Sequence, residues 1–452
     1  MSKFIVQAEA TGDVLYSDEG LSFWGGVDPL TGRVVDVHHP WYGHEIAGKI
    51  LVMPTSRGSC SGSGVLLELV LNGRAPAALI FSMAEETLTL GAVIAARFFD
   101  KTIAVAHLES EEFDALSQVP EATIRENVLF FRKNKCTLRP LQKFDLKLSP
   151  LDKLRLSGDP TDPTTLAMEV ICIMAVALGA ERLTDVTRGH IDGCILAHDA
   201  NLIFAERMAE LGAKVQIPTT INAISVDREN SASYGLPTSF ENAASRLADA
   251  YVKMGAQPTF TCAPYLLDDV PQLGEIIGWS ESNAVIFANS VLGAQTAKLP
   301  DYLDLFVAII GRAPDTGMYN VECRRPSLAI DCWVPEHHDD SLWPLLGWIA
   351  GRLSPDRVPL LRGLAHHEPS HDDLRALCAA FGTTSASPML HVAGVTPEAE
   401  LPLTAGAESV SISLPDLVEP GLALTQAPNP LSLWLSAVRM PRMTRSQSFA
   451  NF

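Results

Sequence analysis

Twice in its middle third the chain writes a helix, a glycine and a short β run in that order, and this plan constrains the fold most. NLIFAERMAELGAKVQIPTT reads as a helix closed at Gly212 with a strand behind it. SFENAASRLADAYVKMGAQPTFTC repeats the plan, with Gly255 as the stop and the TF pair as the strand. A glycine just past the last periodic residue ends a helix because it accepts a left-handed backbone. Helices alternating with strands along the sequence predict α/β architecture around an at least partly parallel sheet. The order recurs over residues 380–397, where DDLRALCAAFGTT leads to SPMLHVAGVTPEA. TTLAMEVICIMAVALG reads as another helix, ending at Gly179.

The N-terminal part has a different texture. IVQAEATGDVLYS, GRVVDVHHP, GKILVMP and ALIFS are short β runs separated by Gly, Pro and Asp. Between them SRGSCSGSGVLLELVLNG reads as a glycine-rich loop opening a helix. GAVIAARFFD and TIAVAHL read as further strands that close a β/α domain between residues 110 and 135.

With 452 residues, 47% apolar and only 19% charged, the chain has material for two or three packed domains. A formal charge of −19 repels phosphate backbones and anionic lipid, so neither nucleic acid nor a membrane surface is expected as a partner. The N-terminus has no apolar leader core, and no run approaches the roughly 20 apolar residues of a membrane span. A cytoplasmic protein is expected. The eight cysteines, at 60, 136, 172, 194, 262, 323, 332 and 378, form no CxxC pair. Such scatter predicts reduced thiols, most of them small core residues and a few available as ligands from distant segments.

The strongest local chemical signal is Arg57-Gly58-Ser59-Cys60-Ser61-Gly62-Ser63-Gly64. Small residues let backbone N–H groups converge, and the helix that follows adds its positive end, so the loop can hold an anion. Arg57 can pair with a carboxylate. A serine in such a nest can take a proton, because its alkoxide is stabilised there. An ordinary flexible turn is the competing reading. Cys262, in Thr261-Cys262-Ala263-Pro264-Tyr265, is placed after the TF strand, where a thiolate can face a cleft or simply fill a core. His190-Ile191-Asp192-Gly193-Cys194 reads as a tight turn. Pro218-Thr219-Thr220-Ile221-Asn222-Ala223 and Glu281-Ser282-Asn283-Ala284 are polar clusters in apolar surroundings, either structural networks or substrate-binding edges. His38-His39 and His366-His367 with His371 have the composition of metal ligands, but no carboxylate or cysteine stands at a convincing spacing.

Together these runs resemble the aconitase X family. GGVDPLTGRVVDVHHPWYGHEIAGKILVMPTSRGSCSGSGVLLE resembles its small swivelling domain. HIDG, GAKVQIPTTINAISVD, YVKMGAQPTFTCAPYLLD, GWSESNAVIFANSVLGA and HVAGVTPEAE resemble its large domain in the family's order. The resemblance implies an N-terminal swivelling β/α domain over 1–135, followed by an incomplete aconitase-like α/β catalytic domain over 145–437. It implies an iron–sulfur hydro-lyase acting on a small hydroxy acid. The fused order is similar to members that dehydrate cis-3-hydroxy-L-proline to 1-pyrroline-2-carboxylate. A usually split branch dehydrates mevalonate 5-phosphate. By the same resemblance Ser59 is the proton-removing base. It further implies that Arg57, Ser61 and Ser63 help seat the substrate carboxylate and that Cys262 is a cluster ligand, while His190, Thr219, Thr220, Asn222, Glu281, Ser282 and Asn283 are expected on the substrate-binding edges.

Three departures from the family pattern stand out. Gly293-Ala294-Gln295-Thr296 lies where the family reads GART, and Arg188-Gly189 precedes His190 unusually. The family also continues beyond the match to Leu435–Val438 with Cys-Pro-His and Asp-Thr-Cys runs, whereas here a basic stretch, 438–452, follows. A C-terminally truncated chain is therefore expected, lacking on the order of a hundred residues and two cluster cysteines. Its iron–sulfur cluster would be incomplete, its uncovered apolar surface would favour self-association, and an inactive binder of small carboxylates is the alternative.

Overall fold

Short apolar strands alternate with helices as the sequence pattern requires, and they build a mixed α/β protein. The computed structural model describes residues 2–141, 146–336, 338–413 and 415–417. The expected basic tail, 438–452, and the end of the expected large domain lie outside the described residues. The described residues divide into two units, one of Met1–Phe260 with Leu299–Thr316, the other of Thr261–Lys298 with the described residues from Gly317 on.

In the first unit an eight-stranded sheet is ordered Lys3–Val6, Ala104–His107, Ala78–Phe81, Ile50–Val52, Ala10–Tyr16, Glu121–Arg125, Val128–Phe131, Asn134–Thr137. Its centre is parallel, with Val14 opposite Ile50, Ile50 opposite Ala78, and Ala78 opposite Ala104. The remaining pairs are antiparallel, joined at one end by hairpins. Ile50, Leu51 and Val52 are wholly buried, as expected of a parallel strand covered on both faces. The helices Gly62–Leu71 and Thr87–Phe99 are the crossovers.

The second of these corrects an expectation, since GAVIAARFFD is helix and not strand. Leu88 to Ala95 are all buried, so the helix shows no polar stripe and its 3.6-residue period is hidden. Asp100, with φ 51, ends it in the left-handed conformation.

After this sheet the same unit carries the buried helix Pro163–Ala177, capped by Asp162 on the amides of Thr164 and Thr165. The two helices expected before Gly212 and Gly255 are Asp199–Glu210 and Thr238–Lys253, and both glycines have positive φ. A parallel pair follows the plan, Gly189–Ile191 beside Thr219–Ile221, with His190 opposite Thr220. The TF pair is not a strand. Phe260 has φ 44, a left-handed turn that breaks any extended run, so Cys262 sits in a loop.

One carboxylate ties the early helix to the later one. Glu68, buried in Gly62–Leu71, accepts from the Ala200 amide at 2.8 Å, at the start of Asp199–Glu210. A carboxylate there meets the positive end of the helix dipole.

The second unit has a four-stranded parallel sheet ordered His391–Val392, Pro359–Arg362, Leu328–Cys332, Glu408–Ile412. The helices Leu342–Leu353 and His371–Phe381 pack together over it, with Leu346, Leu377 and Phe381 fully buried. No helix of the described residues is long and apolar enough to cross a membrane.

Candidate functional site

The serine-rich loop takes the shape its glycines allow. Gly58 has φ +94, and a Cβ there would lie 2.3 Å from the Ser22 hydroxyl, so no other residue fits. Ser59 is half-buried, and its Oγ accepts the Ser61 amide at 3.3 Å and lies 3.4 Å from the Ser61 hydroxyl. Ser61 is the N-cap of Gly62–Leu71, whose first turn carries no acidic residue. A negative charge on Ser59 Oγ would therefore meet an N–H donor and the positive end of a ten-residue helix.

Arg57 lies beside this loop, its Nη2 donating to Asp36 at 3.0 Å and its Nη1 4.0 Å from Glu19. Its Nε is shielded and has no hydrogen-bond partner among the described residues. Ser63 behaves otherwise. It is fully buried in the first helical turn, donating to the carbonyls of Cys60 at 3.0 Å and Asp301 at 3.2 Å. That hydroxyl ties the chain together and does not suit the substrate-seating role expected of it.

The HIDG run comes to the same place. Cys60 Sγ donates to Asp192 at 3.5 Å, and donor atoms of Cys60, Asp192 and Asp301 all lie within 4.8 Å of one another. A cavity of about 70 Å³ opens beside them, lined by Ser61, Asp192, Asp301, His198, Asn201 and Trp24 among others. Asn222 is wholly buried and clamps the turn, donating to Asp192 at 2.5 Å while accepting the Cys194 amide at 2.9 Å. Asp304 accepts the Asp192 amide at 2.8 Å. Asp192 thus has its carboxylate aimed by Asn222 and its backbone held by Asp304. Asp192 was visible inside its motif. Asp301, Asn201 and Trp24 had no local signal, and the fold alone brings them in.

His190 and the threonines are supports. His190 is fully buried with Nδ1 2.7 Å from the Thr220 hydroxyl, and the Thr219 hydroxyl donates to the Ile217 carbonyl. Burial pushes the imidazole down to about 3, so it is neutral at ordinary pH. Unfolding releases it to take a proton below about 6.5, which the folded state refuses until about pH 3. Stability must therefore fall as pH drops through that window, by about 1.4 kcal/mol per pH unit for the one proton. Burial lowers His39, His107, His198 and His391 too, so they add slope of the same sign. His190→Gln should flatten the dependence by close to one proton, read from urea unfolding at several pH values between 7 and 5. An unchanged slope would contradict the assignment.

In the second unit Cys262 is half-buried, and its carbonyl accepts from Asn283 Nδ2 at 3.1 Å. The same amide reaches the Tyr265 hydroxyl at 3.3 Å, and Tyr265 stacks on Phe287 with centroids 4.4 Å apart. Glu281 stands at the N-cap position of the helix Ser282–Phe287 with no side-chain capping bond, and one shielded carboxylate oxygen has no hydrogen-bond partner among the described residues. So Cys262, Glu281, Ser282 and Asn283 form one cluster.

Gln295 is held in backbone pairing, its amide donating to Glu275 and its carbonyl accepting from Ile277. Arg324 donates to the Ala294 carbonyl of that loop, and it is not an anchor. It is fully buried, with Nε on both oxygens of Glu398 at 3.0 Å. Nη1 donates to Asn289 Oδ1 and the Met318 carbonyl, and Nη2 to Glu398 and the carbonyls of Asn289 and Ala294.

Of the other cysteines, Cys172, Cys194, Cys332 and Cys378 are buried, their thiols pushed up to about 12 by desolvation. They are protonated core residues. Cys262 fits a thiolate ligand's position, and the described residues alone do not complete a cluster's ligand set around it.

Comparison with known proteins gives the class first. Residues 1–130 match the aconitase X swivel domain, 145–322 the aconitase X first domain, and 318–419 its second domain. The chain belongs to the aconitase X family. It is 45% identical to the cis-3-hydroxy-L-proline dehydratase of Pseudomonas aeruginosa over 402 residues, covering 87% of this chain and 69% of the relative. The enzyme of that name from Hypocrea jecorina is 44% identical, covering 87% and 68%. The phosphomevalonate dehydratase large subunit of Methanothermobacter thermautotrophicus is more distant, 34% identical over 58% of this chain and 65% of its own. The crystal structure of Thermococcus kodakaraensis aconitase X in its holo-form superposes with a TM-score of 0.56 at 30% identity, covering 62% of this chain and 70% of that one.

Proposed function

We propose that the chain is a hydro-lyase that dehydrates cis-3-hydroxy-L-proline, with a swivelling domain over 1–135 carrying the proton-removing base Ser59. The arrangement that carries this reading is the half-buried Ser59 hydroxyl held by the Ser61 amide at a helix N-terminus, beside a cavity lined by Asp192 and Asp301. Ser59, as its alkoxide, takes the proton from the carbon bearing the carboxylate. Electrons of that C–H bond become a ring C=C bond as the neighbouring hydroxyl leaves, and the enamine tautomerises to 1-pyrroline-2-carboxylate. Arg57 and Ser61 hold the carboxylate.

The acidic lining favours this substrate over mevalonate 5-phosphate. Cyclic hydroxyproline carries a secondary ammonium that the carboxylates of Asp192 and Asp301 suit, whereas a phosphate would be repelled by them. The similarity to two cis-3-hydroxy-L-proline dehydratases supports the same choice. Cys262 would be one ligand of an iron–sulfur centre, with Glu281, Ser282 and Asn283 around it. Such a centre, when bound, supplies Lewis acidity to the departing hydroxyl.

The test is to incubate anaerobically prepared, iron-replete protein with cis-3-hydroxy-L-proline and follow its C2 and C3 proton signals. Loss of both with formation of the cyclic imine acid is expected. Folded, iron-replete protein that leaves the compound unchanged would overturn the proposal.

A further inference from the structure

The cavity beside the serine loop has a wall that neither its carboxylates nor its serines supply. His198, at the N-cap position of the helix Asp199–Glu210, lines it together with Trp24 and Asn201. The His198 backbone is pinned from both sides. Its amide donates to Asn201 Oδ1 at 3.0 Å, and its carbonyl accepts the Asn201 amide at 3.1 Å. Asn201 is itself buried, and its Nδ2 donates to the Tyr302 hydroxyl at 3.1 Å. The His198 imidazole meets the Trp24 ring edge-on, with centroids 5.8 Å apart at 69°.

Nε2 of this imidazole is shielded from solvent and has no hydrogen-bond partner among the described residues. A shielded polar atom left unpaired carries a free-energy cost that a ligand group can relieve. We propose that His198 recognises the hydroxyl of the substrate through Nε2 and so distinguishes a hydroxylated cyclic amino acid from L-proline, which lacks that group. The inference rests on the substrate reading given above. There the carboxylate goes to Arg57 and Ser61 and the ammonium to Asp192 and Asp301, which leaves the hydroxyl to be matched.

The chemistry of the ring suits this role. A hydroxyl both donates and accepts, so it satisfies Nε2 in either imidazole tautomer. Burial lowers the pKa of His198 against the opposing pull of the Glu68 and Asp199 carboxylates, so the ring is neutral near pH 7. A neutral ring puts no positive charge beside the substrate ammonium. A site that hydrogen-bonds a substrate hydroxyl rejects the analogue without it, because the site's own polar atom then stays unpaired.

The experiment is calorimetric titration of iron-replete Ser59→Ala protein, which should hold the substrate without turnover, with cis-3-hydroxy-L-proline and separately with L-proline. Both titrations are repeated on Ser59→Ala/His198→Phe, in which an aromatic ring still packs against Trp24. The second substitution is expected to weaken hydroxyproline binding at least about tenfold and to leave L-proline binding within about threefold. Retained L-proline binding also shows that the variant is folded. A similar loss for both ligands, or an unchanged affinity for the hydroxyproline, would overturn the proposal. Failure of the Ser59→Ala protein itself to bind the hydroxyproline would overturn the substrate reading and this inference with it.

Discussion

Replacing Ser59 with alanine should lower kcat for dehydration by about 10²- to 10⁴-fold, the range for loss of a positioned base. KM should change little, because Arg57 and the lining carboxylates remain. Ser59 Oγ makes hydrogen bonds only within its own loop among the described residues, so the variant should fold normally. Ser61→Ala should cost less in kcat and more in KM, since Ser61 lines the cavity. Ser63→Ala should reduce stability through its lost ties to Cys60 and Asp301, with activity falling only as folded protein is lost. Steady-state kinetics on the three variants separates these roles. A Ser59→Ala enzyme within tenfold of wild-type kcat would remove Ser59 from the chemistry.

The second large effect is structural. Glu398→Ala should destabilise the protein by about 3–5 kcal/mol, because it leaves the wholly buried Arg324 charge uncompensated. In a unit of this size that is on the order of 10 °C in Tm. Arg324→Met should cost at least as much, since it strands the carbonyls of Met318, Asn289 and Ala294 as well as Glu398. Combining the two removes both charges but leaves those carbonyls unpaired, so only partial recovery is expected. Differential scanning calorimetry reads all three. A single Glu398→Ala variant melting within 2 °C of wild type would mean that water or another group already compensates Arg324.

The helix–glycine–strand plan announced α/β architecture because Gly212 and Gly255 do occupy the left-handed positions that end those helices. What it misread has physical causes. Residues 91–99 lie in a helix whose stretch Leu88–Ala95 is buried on every side, and such a stretch shows no polar stripe to betray its period. Phe260 adopts a positive φ that residue type gives no hint of, and the strand expected before Cys262 is lost there. In the loop, Ser59, Ser61 and Ser63 look equivalent, but the helix begins at Gly62 and carries Ser63 into the core. Asp301 is more than a hundred positions from Asp192 and meets it only through the fold.

A site built for a cyclic amino acid must discriminate against an acyclic phosphate ester, and a competition measures this most directly. cis-3-Hydroxy-L-proline and mevalonate 5-phosphate would be supplied together to iron-replete protein, and both products quantified over time. The ratio of kcat/KM values should favour the hydroxyproline by at least 10², about 2.7 kcal/mol of transition-state discrimination. A ratio near one, or a preference for the phosphate ester, would contradict the roles given to Asp192 and Asp301 and with them the substrate assignment.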